Sequence, residues 1–278
     1  MTDRTSTTIE VMFDGLAAAG GTQFPERDSL ASRLRDLVPK PFRATALMVD
    51  RALFQAFATA SVEMWLRAVH SFLISASLTR SSPIWSSVAG YYSSHYSIRA
   101  LSHLLGLFHL HRPTLTVRLE VAAKQLICNV EKGPSREHQF YWQSVKAHPE
   151  FTHDRLFTRN EEARDVDSDS RHRAIANYCD HVGIFPRFEV LDEGFLKARV
   201  ERLASLPVSD PPIPRATHFP DLMNVQIVAL LRLVRYRSFV DGYLGDSNRF
   251  WAKNRNPEWC RPYMAFQVVA PTFAVPGI

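Results

Sequence analysis

The sequence predicts a mainly α-helical protein, a helical bundle with a small β-hairpin or meander inserted into it. The segment from Ala44 to Leu78 repeats apolar residues every three, four or seven positions, as an amphipathic helix does. A second helix is expected from Ile84 to Leu105, between Pro83, which favours a helix start, and Gly106, a likely C-cap. After Gly106 the apolar residues alternate with polar ones, which is typical of strands with one buried face. The composition, 46% hydrophobic and 22% charged over 278 residues, excludes disordered, collagen-like and coiled-coil chains.

The first forty residues are predicted to be a lead-in with one short amphipathic helix, near Asp28 to Leu37. This helix should end by Val38, because a residue that precedes proline is disfavoured in the helical region. The first long helix should end before Pro83, and Gly106 should cap the second. The second helix also carries small residues that would let a neighbouring backbone approach closely: Ser86, Gly90, Ser93, Ser94 and Ser97.

The rest of the chain is predicted to hold strands, further helices and one connector. Strands are expected at Leu115–Val121 and Leu126–Val130, and helices at His138–Ala147, Ser168–His181, Asp192–Leu206 and Pro220–Tyr243. Residues 207–216 contain four prolines and form the connector. The predicted organisation is a lead-in (1–40), a helical bundle with its β insertion around 107–131 (41–206), and a C-terminal helix with a basic, aromatic tail packed on the bundle (207–278).

The cysteine pattern and the hydropathy indicate the compartment. Cys128, Cys179 and Cys260 lie far apart with no Cys-x-x-Cys pair, which predicts free thiols in a reducing cytoplasm rather than disulfides. The N-terminal residues are acidic and lack an apolar core, so no signal peptide is expected. The longest stretch without Lys, Arg, Asp or Glu, Ser81 to Ile98, is rich in serine and tyrosine, which predicts no membrane span.

The common catalytic motifs for nucleotide, zincin and α/β-hydrolase chemistry are missing from the sequence, and no cofactor is predicted. His109 and His111 would share one side of a strand, a spacing that can bind a metal ion. Because no third ligand is recognisable nearby, a half-exposed strand face is the better interpretation, and no metal site is predicted.

Polar-tipped side chains recur along one stripe of the second long helix. Tyr92, His95, Arg99 and His103 follow one another at steps of three, four and four, which places them on one helical face. A histidine can exchange a proton near neutral pH, and an arginine can hold a phosphate. These roles suit metal-independent cleavage of RNA, with His95, Arg99 and His103 as candidate catalytic residues. The alternative is a hydrogen-bonded polar seam between helices or between subunits.

The formal net charge is +5, and the segment from Arg232 to Tyr263 holds seven cationic and three acidic residues, a local excess of +4. Such an excess is typical of a surface for an anionic partner, and also of a solvated helix face. Aromatic residues are interleaved with these cations and could stack on bases, or be buried while the cations face water. The candidate nucleic-acid-binding residues are Tyr92, Arg171, Arg173, Arg249, Lys253 and Arg255. For Arg171 and Arg173 the alternative partner is an acidic side chain nearby in the sequence.

Two segments resemble a known family. The run SSVAGYYSSHYSIRALSHLLG at residues 86–106 resembles a helix of HEPN-family proteins, in which paired tyrosines precede a small-residue turn rich in Ala and Leu. The run RHRAIANY at residues 171–178 is similar to the Arg-containing segment of a later helix in that family. The resemblance implies a helical bundle, homodimerisation and, in many members, metal-independent ribonuclease activity in toxin–antitoxin or phage-defence systems. Catalytic members place four to six residues between Arg and His, whereas three separate Arg99 from His103.

Three functional hypotheses follow. The first is a cytoplasmic RNA-directed effector and ribonuclease, with Arg99 binding phosphate and His95 or His103 exchanging protons. The second is a non-catalytic helical interaction or scaffold protein that forms a homodimer or binds a protein partner through the helix stripe. The third is a small-ligand binder with a pocket between helices, suggested by the aromatic content alone.

Overall fold

The computed structural model describes residues 8–14, 29–111, 113–134, 137–157, 193–206 and 222–244. Most of these residues are helical, and the strands form one antiparallel sheet, which confirms the predicted mainly α class with a small β component. The helices are α1 (8–14), α2 (Ser29–Leu37), α3 (Arg51–Ser77), α4 (Pro83–Leu104), α5 (Glu137–Lys146), α6 (Glu193–Ala204) and α7 (Leu222–Tyr243). The strands are β1 (Thr45–Met48), β2 (Leu107–His111), β3 (Thr114–Ala122) and β4 (Gln125–Lys132).

The described residues separate into two compact units. Unit 1 contains α1, α2, the sheet, α5, and the parts of the long helices up to Met64 in α3, from Ile98 in α4 and from Phe239 in α7. Unit 2 contains the remaining parts of those three helices, α6 and residues 149–157. The three-segment division expected from the sequence stays a prediction.

The sheet has the order β1-β4-β3-β2, and every neighbouring pair is antiparallel. Along β3 the residues Leu115, Val117 and Leu119 are buried while Arg118 is exposed, which confirms the predicted alternation. The buried side chains of the sheet join those of α1, α2 and α3 in one hydrophobic core within unit 1. Burial of this face therefore fixes the register of the strands.

The predicted helix start at Ala44 is wrong. Residues Thr45–Met48 form β1, which pairs with β4 so that Leu47 lies opposite Cys128. The helix begins at Arg51, where an Asp50 side-chain oxygen accepts a hydrogen bond from the Leu53 backbone N–H at 3.1 Å, a typical N-cap. Leu47 fits the apolar period of α3 by spacing, but its partner in the sheet lies 81 positions later in the chain, beyond the reach of a local pattern.

Residues with positive φ form two turns, one between α4 and β2 and the other between β3 and β4. Gly106 has φ +74°, and its N–H donates to the His103 carbonyl at 3.0 Å, which confirms the predicted C-cap. The β3–β4 turn consists of Ala123 (φ 51°) and Lys124 (φ 64°), both in the left-handed region that a tight hairpin demands. These two residues are neither glycine nor asparagine, the residues that would mark such a turn in the sequence.

The remaining helices agree with the sequence predictions to within two residues, since α2, α4, α5, α6 and α7 occupy the expected segments. The helix predicted at Ser168–His181 and the connector at 207–216 lie outside the described residues. No helix among the described residues has the length and apolar character needed to cross a bilayer.

In unit 2 the small residues of α4 face the neighbouring helices, as predicted. Ser93 donates its hydroxyl hydrogen to the Ala68 carbonyl of α3 at 2.8 Å. Gly90 packs so closely on α7 that a Cβ atom built on it would lie 2.6 Å from a Val225 methyl carbon. The side of α4 that packs on α3 and α7 thus has room only for small side chains, and the larger side chains of α4 lie on its other sides.

Candidate functional site

The polar stripe of α4 is divided by burial. His95 and His103 are buried, whereas Tyr92, Tyr96 and Arg99 are partly exposed. Tyr92 and His95 belong to unit 2, and Arg99 and His103 belong to unit 1. The four residues predicted from their spacing to share one face therefore differ in their access to solvent.

His103 lies in an aromatic environment inside unit 1. Its side chain is 1% exposed, and its ring stacks on Phe108 of β2 with centroids 5.1 Å apart. Phe57 of α3 and Tyr141 of α5 meet the ring edge-on at 6.5 and 5.9 Å. Among the described residues, neither ring nitrogen has a hydrogen-bond partner of good geometry, although the backbone of Ala60 lies close enough to favour the charged form.

This environment keeps His103 neutral. Burial, and secondarily the positive charge of Arg99, hold the pKa of His103 well below 6.5, against the weaker opposing effect of the Ala60 backbone. Burial also raises the pKa of Tyr141. In this conformation His103 cannot meet a solvent-borne substrate, because an acid or base must lie within hydrogen-bond reach of the proton it moves.

Arg99 sits at the surface of the same cluster. Its side chain is 23% exposed, and its Nη1 atom lies 3.1 Å from a carboxylate oxygen of Glu137 in α5. The guanidinium carbon stands 5.3 Å from the ring centre of Tyr141 and 5.9 Å from that of Phe108. Arg99 could contact a phosphate from this position only by sharing or leaving Glu137.

Helix α5 supplies the partners that the sequence did not reveal. The Tyr141 hydroxyl accepts a hydrogen bond from the His109 backbone N–H at 3.1 Å, and Glu137 pairs with Arg99. The helix itself was predicted, but these residues lie more than thirty positions from their partners.

Within unit 2, α4 presents aromatic rings on both sides. Inward, His95 stacks on Tyr91 with centroids 6.3 Å apart and planes 2° apart. Outward, the ring centroids of Tyr92 and Tyr96 lie 5.8 Å apart, and Trp85 is 62% exposed. We call Trp85, Ala89, Tyr92 and Tyr96 the aromatic face of α4; all four are exposed or partly exposed and follow at steps of four, three and four.

The other sequence candidates are placed as follows. His109 is buried and its Nε2 lies 2.7 Å from the Pro134 carbonyl oxygen, whereas His111 is exposed. Their strand is buried at its other four positions, Leu107–Leu110, rather than half-exposed as the sequence predicts. Cys128 is a free, buried thiol whose pKa is raised by burial to about 11. In the part of the chain that is described, no cluster of three or more His, Cys, Asp or Glu could hold a metal ion. Five candidate nucleic-acid-binding residues lie outside the described residues: Arg171, Arg173, Arg249, Lys253 and Arg255.

Comparison with protein-family models, with proteins of curated function and with solved structures finds no match to this chain. The resemblance to the HEPN family and the assignment of site residues therefore stay predictions.

The low pKa of His103 predicts acid sensitivity. The folded state holds this imidazole neutral, whereas the unfolded chain protonates it near pH 6.5, so below that pH the unfolded state binds more protons. The free energy of unfolding should fall as the pH falls from 7.5 to 5. Urea unfolding at several pH values measures this fall in the free energy of unfolding. The wild type is compared with His103→Phe, which keeps an aromatic ring stacked on Phe108. The free energy of unfolding should change with pH more steeply in the wild type than in the variant, by up to about 1.4 kcal/mol per pH unit. Equal pH dependence in the two proteins would contradict a lowered pKa for His103.

Proposed function

We propose that this chain is a helical interaction protein of HEPN-like type, and that the aromatic face of α4 joins it to a second copy. One observation carries the proposal: this face is solvent-accessible, aromatic and free of charge. Residues 83–98 contain no Lys, Arg, Asp or Glu, although four of their side chains reach the surface as the aromatic face.

The composition of the face is that of an interface core. Charged residues are depleted at the centres of protein interfaces, and Trp and Tyr are enriched there and dominate the binding energy. The spacing of Trp85, Ala89, Tyr92 and Tyr96 averages 3.7 residues, close to one helical turn, so the four side chains form a continuous strip along the helix. Such a strip can pack against the same strip of a second chain about a twofold axis.

Sedimentation velocity tests this proposal. The wild type should sediment as a dimer, and Trp85→Glu or Tyr96→Glu should raise the dimer dissociation constant about thirtyfold, the effect of losing a hot-spot residue. Met48→Glu is the matched control, because Met48 is 75% exposed in β1 and lies outside the aromatic face. A monomeric wild type, or face variants that sediment like the control, would contradict the proposal.

The second candidate is the RNA-directed effector, and the position of Arg99 favours it. Arg99 is partly exposed on unit 1, where its guanidinium could contact a phosphate. The buried histidines support RNA binding better than cleavage, because neither reaches the surface in this conformation.

Labelled single-stranded RNA in the presence of EDTA distinguishes this candidate from self-association. Arg99→Ala should abolish binding or cleavage and leave the dimer intact, whereas Arg67→Ala, which removes an exposed cation on α3, should have little effect. If the wild type neither binds nor cleaves RNA, the RNA-directed function is wrong and self-association is unaffected.

A further inference from the structure

Three arginines of unit 2 lie on or beside helix α6. They are Arg199 and Arg202 of α6 and Arg80, which follows the end of α3 by three positions, and we call them the arginine cluster. Phe195, Arg199 and Arg202 follow one another at steps of four and three, which places them on one face of α6. Within the described part of the chain, none of the three arginines forms an ion pair with a carboxylate.

An aromatic ring brings Arg80 to α6. The guanidinium carbon of Arg80 stands 4.3 Å from the ring centre of Phe195, within the range of a cation–π contact. Because Phe195 lies one helical turn before Arg199, this contact places Arg80 at the part of α6 that carries the other two arginines. Thr79, next to Arg80 in the chain, is linked to the same region, since Gln226 hydrogen-bonds both Thr79 and Arg199.

Arg199 is held in place by a neutral acceptor. Gln226 is fully buried, and its side-chain oxygen accepts hydrogen bonds from Nε and Nη2 of Arg199 at 3.1 and 2.8 Å. An amide oxygen carries no net charge, so it fixes the guanidinium without neutralising it, as a carboxylate would. Arg199 donates no other hydrogen bond to the described residues, which leaves its Nη1 atom for a further acceptor.

The positive charge at the arginine cluster is only partly offset by its surroundings. Burial, and secondarily the charge of Arg202, lower the pKa of Arg199, so the two guanidinium groups repel each other. The C-terminal ends of α3 and α6 each provide about half a negative elementary charge, against three cations. Glu201 lies two positions after Arg199 and therefore on a different side of α6. A bound anion would relieve the repulsion.

We propose that the arginine cluster binds a phosphate group, either as free phosphate or as the phosphate of a small monoester. Guanidinium groups bind phosphate oxygens through paired, charge-assisted hydrogen bonds. Arg199, positioned by Gln226, supplies the fixed donor, and Arg80 and Arg202, which are both exposed, supply donors from either side. This site goes beyond self-association and RNA binding, and it does not depend on either of them.

Isothermal titration calorimetry of the full chain with inorganic phosphate, in chloride buffer of constant ionic strength, tests the site. The wild type should bind one phosphate with a Kd of about 1 mM. Arg80→Gln and Arg202→Gln should each raise the Kd about tenfold, and Arg199→Gln at least as much. If Arg199→Gln does not fold, the other two variants decide, because their positions are exposed. Lys197→Gln is the matched control, because Lys197 is an exposed cation of α6 outside the arginine cluster.

A second titration, with glycerol 3-phosphate, separates the two sources of the phosphate group. Tighter binding than that of inorganic phosphate assigns the site to a phosphorylated small molecule, and equal or weaker binding assigns it to free phosphate. The proposal is overturned if the wild type shows no saturable binding of either compound. It is also overturned if Lys197→Gln weakens binding as much as Arg202→Gln, because phosphate would then respond to net charge alone.

Discussion

Replacing Gln226 with alanine is expected to lower the free energy of unfolding by about 3 to 5 kcal/mol. Gln226 is fully buried on α7 in unit 2. Its side-chain oxygen accepts hydrogen bonds from Nε and Nη2 of Arg199 in α6 at 3.1 and 2.8 Å. Its amide nitrogen donates to the Ser75 carbonyl oxygen and to the Thr79 hydroxyl, both at 2.9 Å. One side chain thus joins α7 to α6 and to the C-terminal end of α3.

The size of the effect follows from the groups left behind. Burial, and secondarily Arg202, lower the pKa of Arg199, so its guanidinium is partly desolvated and depends on the acceptor that Gln226 provides. A buried polar group without a partner costs about 1 to 3 kcal/mol, and the cavity left by the shortened side chain adds to this.

Urea unfolding measures the effect of Gln226→Ala. Gln139→Ala is the control, since an exposed glutamine on α5 should change stability by less than about 0.5 kcal/mol. A double-mutant cycle with Arg199→Ala should give a coupling of about 1 kcal/mol or more. If Gln226→Ala lowers the free energy of unfolding no more than the control does, the hydrogen bonds of Gln226 do not hold the helices together.

Gly90→Leu is expected to lower the free energy of unfolding by about 3 kcal/mol. This loss is expected although leucine has a higher helix propensity than glycine. A Cβ atom at this position would stand 2.6 Å from the Val225 methyl carbon and 3.1 Å from the Ser75 hydroxyl oxygen. Valine is stiff in a helix, so Val225 cannot turn away, and α4 and α7 must separate. Without this contact, replacing a helical glycine would stabilise by up to about 1 kcal/mol. The sign of the change is therefore diagnostic.

Gly242 provides the matched comparison, because it also lies in a helix but a Cβ atom added to it would meet no described residue within 4 Å. Thermal unfolding should show Gly242→Leu to be neutral or stabilising while Gly90→Leu lowers the melting temperature. In a Val225→Ala background, Gly90→Ala should lose most of its cost. A stabilising Gly90→Leu would refute the close approach of the two helices.

Local signals predicted the elements of the fold well. Gly106 marked the end of α4 because only a residue that tolerates positive φ fits there. The small residues of α4 marked the side that packs closely, and the alternation in β3 marked a strand. Each of these signals is contained within about one turn or one strand of sequence.

Signals that depend on distant partners were missed. Strand β1 was predicted as helix because its pairing with β4 has no trace in its own four residues. Ala123 and Lys124 gave no turn signal, since the strands on either side impose their left-handed conformation. The partnership of Arg99 with Glu137 likewise joins two helices that are separated in the sequence by strands β2, β3 and β4.

The order of the residues alone places Tyr92, His95, Arg99 and His103 along one helix, because it fixes their helical spacing. Which of them face solvent depends on how the other elements pack around that helix. His103 is enclosed because Phe57, Phe108 and Tyr141 arrive from three other elements, while Tyr92 and Tyr96 remain partly exposed. Burial is a property of the neighbours that cover a side chain, and two of these neighbours, Phe57 and Tyr141, are distant from His103 in sequence.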